Sequence, residues 1–352
     1  MELFVLFLKY FALAGAVVYA STTVGNIVDE FDNRTNLSGA FIGGLVLAAV
    51  TSMPEFVTSI TSTIVYEQPG LAFGNVFGSN IFNLVILAVM DIIFVRKFVY
   101  TKITEIDKAN KLSILIYFII LIPFITNMLV ANDLLNFDLN NRLLWIVQNA
   151  QILGFSLLSI AILVIYFISA RTLAEGEDPA EEDSKETKYS KYSIKFVTVL
   201  FVFWALILVL AAIFITGTTN QIAEITGMSA SFAGALFLGV ATSLPELTTC
   251  YTLIKLNNFE AAAGGIVGSN IFNFTIIAVV DVFVKTNIID LIVNDPSVSQ
   301  NALTLLILGL INSIILMLAL MRKKKFNGRT VYLVPSVLII TNYLFYLIIS
   351  FI

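Results

Sequence analysis

The sequence predicts an all-α polytopic membrane protein: ten transmembrane helices in two inverted-topology five-helix repeats. Three observations lead there. The 352 residues are 58% hydrophobic and only 12% charged, with a mean hydropathy of +0.93, whereas a soluble domain is nearer half apolar and a quarter charged. The apolar residues gather in runs of the length that crosses a hydrocarbon layer, about 20 residues. One set of polar motifs also occurs twice, once in each half of the chain.

Ten apolar segments can be drawn in order. The first half gives Leu3–Ala20, Leu37–Val65, Gly70–Phe94, Leu112–Val130 and Leu143–Ala170. The second gives Ile194–Thr216, Met228–Leu256, Ala261–Val284, Ala302–Met321 and Val331–Ile352. The first run lacks a basic flank and a small-residue cleavage site, so it reads as a retained helix rather than a signal peptide. Leu37–Val65 and Met228–Leu256 are over-long and contain Pro54 and Pro245. Broken helices at membrane depth are tolerated where protein or a cavity satisfies the freed backbone.

Loop charge sets the expected orientation. With the N-terminus outside, all of the 20 basic residues except Lys9, Arg142 and Lys285 fall on the inner side. That obeys the positive-inside rule, predicts both termini outside, and suits a plasma membrane. The extended polar stretch Arg171–Lys195 alternates acids with lysines and reads as a cytoplasmic linker, with a cation-sensing role as the sharper alternative. The domain division is therefore 1–170, a 171–193 linker, and 194–352.

The repeat is direct. Thr51-Ser52-Met53-Pro54-Glu55 returns as Thr242-Ser243-Leu244-Pro245-Glu246, and Gly78-Ser79-Asn80-Ile81-Phe82-Asn83 as Gly268-Ser269-Asn270-Ile271-Phe272-Asn273. Glu55 and Glu246 are 191 residues apart, whereas Ser79 and Ser269 are 190 apart, so a one-residue gap aligns the halves. Each half has an odd number of spans, so equivalent helices cross in opposite senses. That is the inverted repeat of secondary transporters, whose site lies where the halves meet.

Spacing then points to chemistry. Thr51 and Glu55, Thr242 and Glu246, Ser79 and Asn83, and Ser269 and Asn273 are each four apart and share a helix face. Proline has no N–H to give the preceding turn, so nearby carbonyls, Ala48 and Gly239 among them, are free to face inward. Carboxylate, hydroxyl, amide and carbonyl oxygens suit hard cations such as calcium, magnesium, manganese or sodium. The chain has no histidine and one cysteine, which removes imidazole and thiolate-cluster metal sites. Two glutamates balance one divalent ion or two monovalent ones. Gly74, Gly78, Gly264 and Gly268 are spaced for close helix approach. Asn80 and Asn270 suit interhelical hydrogen bonding as well as ligation. Asp91 and Asp281 read as helix-end anchors, with an ion or proton vestibule as the alternative.

At these residues the sequence resembles the cation/calcium exchanger superfamily, in particular the prokaryotic sodium/calcium exchangers, whose two alpha-repeats carry such motifs. The resemblance implies ten helices with inverted halves and ion ligands at Thr51, Ser52, Glu55, Ser79, Asn83, Thr242, Ser243, Glu246, Ser269 and Asn273. Two positions depart from the pattern: Val50 and Ala241 replace the glycine before Thr-Ser, and Asn273 stands where aspartate is frequent. The site then holds two carboxylates rather than three, and sodium and proton coupling both stay open.

The expected function is a secondary antiporter exchanging calcium for sodium by alternating access. A proton-coupled divalent-cation exchanger is the alternative, and a passive cation channel is a weaker one. No enzymatic activity, cofactor or nucleic-acid partner is expected; the partners are the transported ions and the lipid bilayer.

Overall fold

The computed structural model describes residues 2–35, 51–97, 99–103, 106–131, 151–152, 155–174, 188–284, 287–321 and 329–351. Its helices are α1 Glu2–Thr35, α2 Met53–Ile64, α3 Pro69–Ile93, α4 Asp107–Ala131, α5 Leu157–Ala174, α6 Ile194–Thr226, α7 Ala230–Thr242, α8 Leu244–Lys255, α9 Phe259–Asp281, α10 Ile288–Val293, α11 Pro296–Leu320 and α12 Arg329–Phe351. Among the described residues, seven helices are long and apolar enough to cross a membrane: α1, α3, α4, α6, α9, α11 and α12. The bent pair α7–α8 adds an eighth. For Leu37–Val65 only the part from Thr51 on is described, and the Leu143–Ala170 segment is represented by the shorter α5.

Three boundaries differ from the sequence expectation. α1 and α6 run on well past Ala20 and Thr216, to Thr35 and Thr226. Their polar continuations stay helical because the hydroxyls bond back one turn, Thr22 to Val18 and Thr218 to Phe214, both at 2.8 Å. α6 ends only at Gly227, whose φ of 72° closes a left-handed C-terminal turn. The fold is all-helical in class, but the segment Leu143–Ala170 is not one helix: the two-residue strands β1 (Gln151–Ile152) and β2 (Phe155–Ser156) pair antiparallel before α5. A continuous helix would give the Ser156 N–H to Ile152. Here it goes to the Asp281 carboxylate at 3.2 Å.

α3 and α9 form the centre and are buried along most of their length, while α1, α6 and α12 turn most of their surface outward. Phe77 of α3, Tyr117 of α4 and Phe274 of α9 pack together in tilted and edge-to-face pairs, with ring centroids 5.0 to 6.0 Å apart. α1 and α6 pack on each other beside this core. Gly74 and Gly78 let α3 lie backbone against backbone on α7. A Cβ at Gly74 would stand 2.0 Å from the Ser231 carbonyl oxygen, and one at Gly78 would stand 2.4 Å from Ala235 Cα. At Gly264 no described atom comes within 4 Å of such a Cβ.

Because the clash at Gly74 is with backbone, α3 and α7 must separate to relieve it. Gly74→Ala is expected to destabilise the purified protein by at least the cost of overpacking, about 1–3 kcal/mol. Gly15→Ala, which meets nothing within 4 Å, is expected to leave the thermal unfolding midpoint in detergent unchanged.

Candidate cation site

The two Thr-Ser motifs fold alike. Ser52 (φ −90°, ψ 14°) and Ser243 (φ −88°, ψ 4°) leave helical geometry at the same point of the repeat. Pro54 and Pro245 then occupy the first turn of α2 and α8, where a missing N–H costs no intrahelical bond. α8 departs from α7 by 44°, and the π-helical turn Gly234–Leu238 precedes the break. Glu55 and Glu246 therefore sit in the N-terminal turns of new helices, where unpaired N–H groups and the helix dipole favour negative charge.

Both carboxylates are buried and each is reached by hydroxyls. Glu55 Oε1 accepts from Ser79 at 3.4 Å and from Ser243 of the other half at 3.3 Å. Glu246 Oε1 accepts from Ser269 at 3.5 Å, and Ser269 is 3.2 Å from the half-buried Thr51 of the first half. The Ser79 hydroxyl also lies 3.2 Å from the Gly239 carbonyl, its one proton shared between the two acceptors, and 3.4 Å from the Thr242 hydroxyl.

Four asparagines seam α3 to α9. Asn80 Nδ2 donates to the Asn270 carbonyl at 3.3 Å, and Asn270 Nδ2 donates back to the Asn80 carbonyl at 3.0 Å. These backbone acceptors fix both amides, so the side-chain oxygen of each faces a neighbour. Asn270 Oδ1 accepts from Asn83 at 2.9 Å, and Asn80 Oδ1 accepts from Asn273 at 3.0 Å. Asn83 and Asn273 thus spend their N–H groups on the seam and keep their oxygens.

Those oxygens have no hydrogen-bond partner. Among the described residues, Asn83 Oδ1, Asn273 Oδ1, Glu55 Oε2 and Glu246 Oε2 are buried and unsatisfied, two from each half. An unmet buried acceptor costs about 1–3 kcal/mol, more when charged. Glu55 is joined to Ser79 and Glu246 to Ser269, while Asn83 and Asn273 stand one turn further along α3 and α9; unsatisfied oxygens of these types suit a hard cation.

The sequence-derived residues therefore divide. Glu55, Ser79, Thr242 and Ser243 form one contact group and Thr51, Glu246 and Ser269 another, each drawing on both halves, and Asn83 and Asn273 lie one turn further along the same faces of α3 and α9. Gly239 presents its carbonyl to Ser79. Ser52 is buried with its hydroxyl unpaired among the described residues. Ala48 lies outside the described residues.

Asn75 was not singled out from the sequence. Its Nδ2 reaches the Glu55 carbonyl at 3.1 Å and the Thr58 and Ser59 hydroxyls at 2.8 Å, holding the first turn of α2. Its counterpart is Gly265, so the repeat gave no signal for it; an amide within the apolar run of α3 was the available one.

Asp91 and Asp281 are anchors. Asp91 accepts from Tyr332 and from Ser336 at 2.7 Å on α12. Asp281 accepts from the Ser159 hydroxyl at 2.7 Å on α5 and the Ile288 N–H at 2.8 Å. Each ends the long central helix of one half on the last helix of the other.

With this arrangement on the page, the family can be stated. The chain belongs to the sodium/calcium exchanger protein family, whose model matches residues 4–170 and 195–352, and hence to the cation/calcium exchanger superfamily. An uncharacterized membrane protein of Methanocaldococcus jannaschii is 27% identical over 239 residues, covering 67% of this chain and 68% of that protein. The crystal structure of the H+/Ca2+ exchanger CAX is similar in fold, with a TM-score of 0.59 at 14% identity over 98% of this chain and 90% of that one. So is the sodium-calcium exchanger NCX_Mj, with a TM-score of 0.54 at 21% identity over 97% of both chains. Together with its apolar helices, this makes the chain an integral membrane protein.

An interhelical hydrogen bond in a membrane averages about 0.6 kcal/mol. Asn80→Ala removes two bonds; the Asn270 carbonyl keeps its intrahelical bond within α9, but the Asn273 amide loses its Asn80 partner in a buried place, so the larger cost, about 1–3 kcal/mol for that group, governs. The thermal midpoint of Asn80→Ala in detergent is expected to fall clearly below that of the wild type.

Proposed function

We propose that this protein is a secondary active antiporter that exchanges calcium for sodium by alternating access, at one site near the membrane midplane built from both halves. The observation that carries this is the set of four unsatisfied buried oxygens, Glu55 Oε2, Asn83 Oδ1, Glu246 Oε2 and Asn273 Oδ1. Thr51, Ser52, Ser79, Thr242, Ser243 and Ser269, with the Gly239 carbonyl, complete the ligands. A carboxylate at the bilayer centre costs at least about 2.5–3.5 kcal/mol, and a bound cation offsets much of that for both glutamates. The similar breaks at Ser52 and Ser243 support ten spans in two inverted halves, 1–170 and 194–352, joined by a cytoplasmic 171–193 linker. The loop charges support both termini outside, in the cell membrane.

Asn273 favours a second reading, coupling to protons rather than sodium. An amide in place of a third carboxylate leaves fewer charges to hold sodium ions, and a carboxylate in a low-dielectric site binds a proton more readily than in water. The folds of an H+/Ca2+ exchanger and of a sodium-calcium exchanger are both similar to this one, so fold does not choose between them.

Calcium-45 uptake into proteoliposomes driven by an outward sodium gradient is the test, with an imposed pH gradient as the second arm. The expected result is uptake with the sodium gradient, abolished by Glu55→Gln and by Glu246→Gln. Uptake with the pH gradient alone would move the coupling to protons. Transport retained in both glutamine variants would sink the site assignment.

A further inference from the structure

The one-residue gap between the halves has a definite place in the structure. α2 and α8 are both 12 residues long, and the two αL residues that follow them are Glu67 (φ 52°) and Asn257 (φ 64°). Val65 follows α2 as Leu256 follows α8, and Gln68 precedes α3 as Asn258 precedes α9. Between Val65 and Glu67 stands Tyr66; between Leu256 and Asn257 stands nothing. Tyr66 is the extra residue.

Tyr66 reaches across to α6. Its hydroxyl donates to the Ile213 carbonyl at 3.2 Å. It rests in a notch made by Gly217, where a Cβ would stand 2.1 Å from the tyrosine oxygen. α6 lies along α2 beneath this contact, while the contact of α1 with α8 in the other half is slight. The hydroxyl-bearing faces differ accordingly. On α2, Thr58 is 0% exposed and Thr61 4%. Their counterparts on α8, Thr249 and Thr252, are exposed, and Leu256 at the end of that helix is 70% exposed. Among the described residues, α2 is thus covered by α6, whereas α8 has no comparable cover.

We propose that Tyr66 is a one-sided latch: it fastens α6 over the end of α2 and closes the path to Glu55 from that side, which the proposed topology makes the outer one. The α8 side lacks the residue and opens more readily, so the resting protein faces inward. This rests on the antiporter reading only in that a two-sided gate needs a transported ion; the latch itself is a matter of packing. Opening toward the outside requires the Tyr66 hydroxyl to leave Ile213 and the ring to leave the Gly217 notch.

Thiol modification tests it without reference to the ion carried. Single cysteines replace Thr58 or Thr249 in a Cys250→Ala background, reconstituted in proteoliposomes with a membrane-impermeant methanethiosulfonate on both sides. The expected result is rapid modification at Thr249→Cys and protection at Thr58→Cys. Tyr66→Phe, which keeps the ring, raises the rate at Thr58→Cys about fivefold, the weight of one hydrogen bond, and lowers the rate at Thr249→Cys. Gly217→Ala, which fills the notch, acts in the same direction and independently of any defect in the first variant. Unchanged rates at Thr58→Cys in both variants would overturn the latch, as would faster modification at both positions, which reports loosened packing. Calcium-45 flux measured on the same vesicles reports separately on the antiporter reading.

Discussion

Two carboxylates buried where the chain should be apolar are the constraint on which the rest of this structure depends. A bare charge at that depth is tolerated only when hydroxyls, helix N-termini or a counter-ion take the place of water. Each half supplies the first two by breaking a helix at Ser52 or Ser243, so that the following glutamate opens a new helix. Neither half supplies enough alone. Glu55 accepts from Ser243, and Ser269 touches Thr51, so the hydroxyls around each carboxylate come from both halves.

The halves are held together by polar contacts placed where slippage would be most damaging. The asparagine seam binds α3 to α9 at the level of the site through reciprocal bonds to backbone carbonyls. Asp91 and Asp281 then tie the far ends of the same two helices to α12 and α5. These bonds, with the backbone-to-backbone contact at Gly74 and Gly78, give the central helices a rigid frame. α1 and α6 lie outside that frame and pack chiefly on each other.

Much of this was legible in the sequence because identical residues recur at a nearly constant interval. The shared helix faces of Thr51 with Glu55 and of Ser79 with Asn83, and of their counterparts in the second half, could be read from spacing alone, and the glycines of α3 announced a close helix approach without naming the partner. The division of labour among the asparagines could not be read. That Asn80 and Asn270 make the seam while Asn83 and Asn273 keep free oxygens depends on which backbone carbonyls lie within reach. The antiparallel pair before α5 was hidden because a distant carboxylate, Asp281, takes the N–H that would have continued the helix. Asn75 and Tyr66 were missed for one reason: both break the repeat, and a reading built on what recurs passes over what does not.

The claim that the four unsatisfied oxygens hold one cation is tested most directly by diffraction. Crystals soaked in manganese, whose anomalous signal marks the ion, are predicted to show a single strong peak between Glu55, Asn83, Glu246 and Asn273, at oxygen-coordination distances of about 2.0–2.6 Å, and to lose it in Glu55→Gln. A peak elsewhere, or one at this position that survives Glu55→Gln and Glu246→Gln together, would contradict the account.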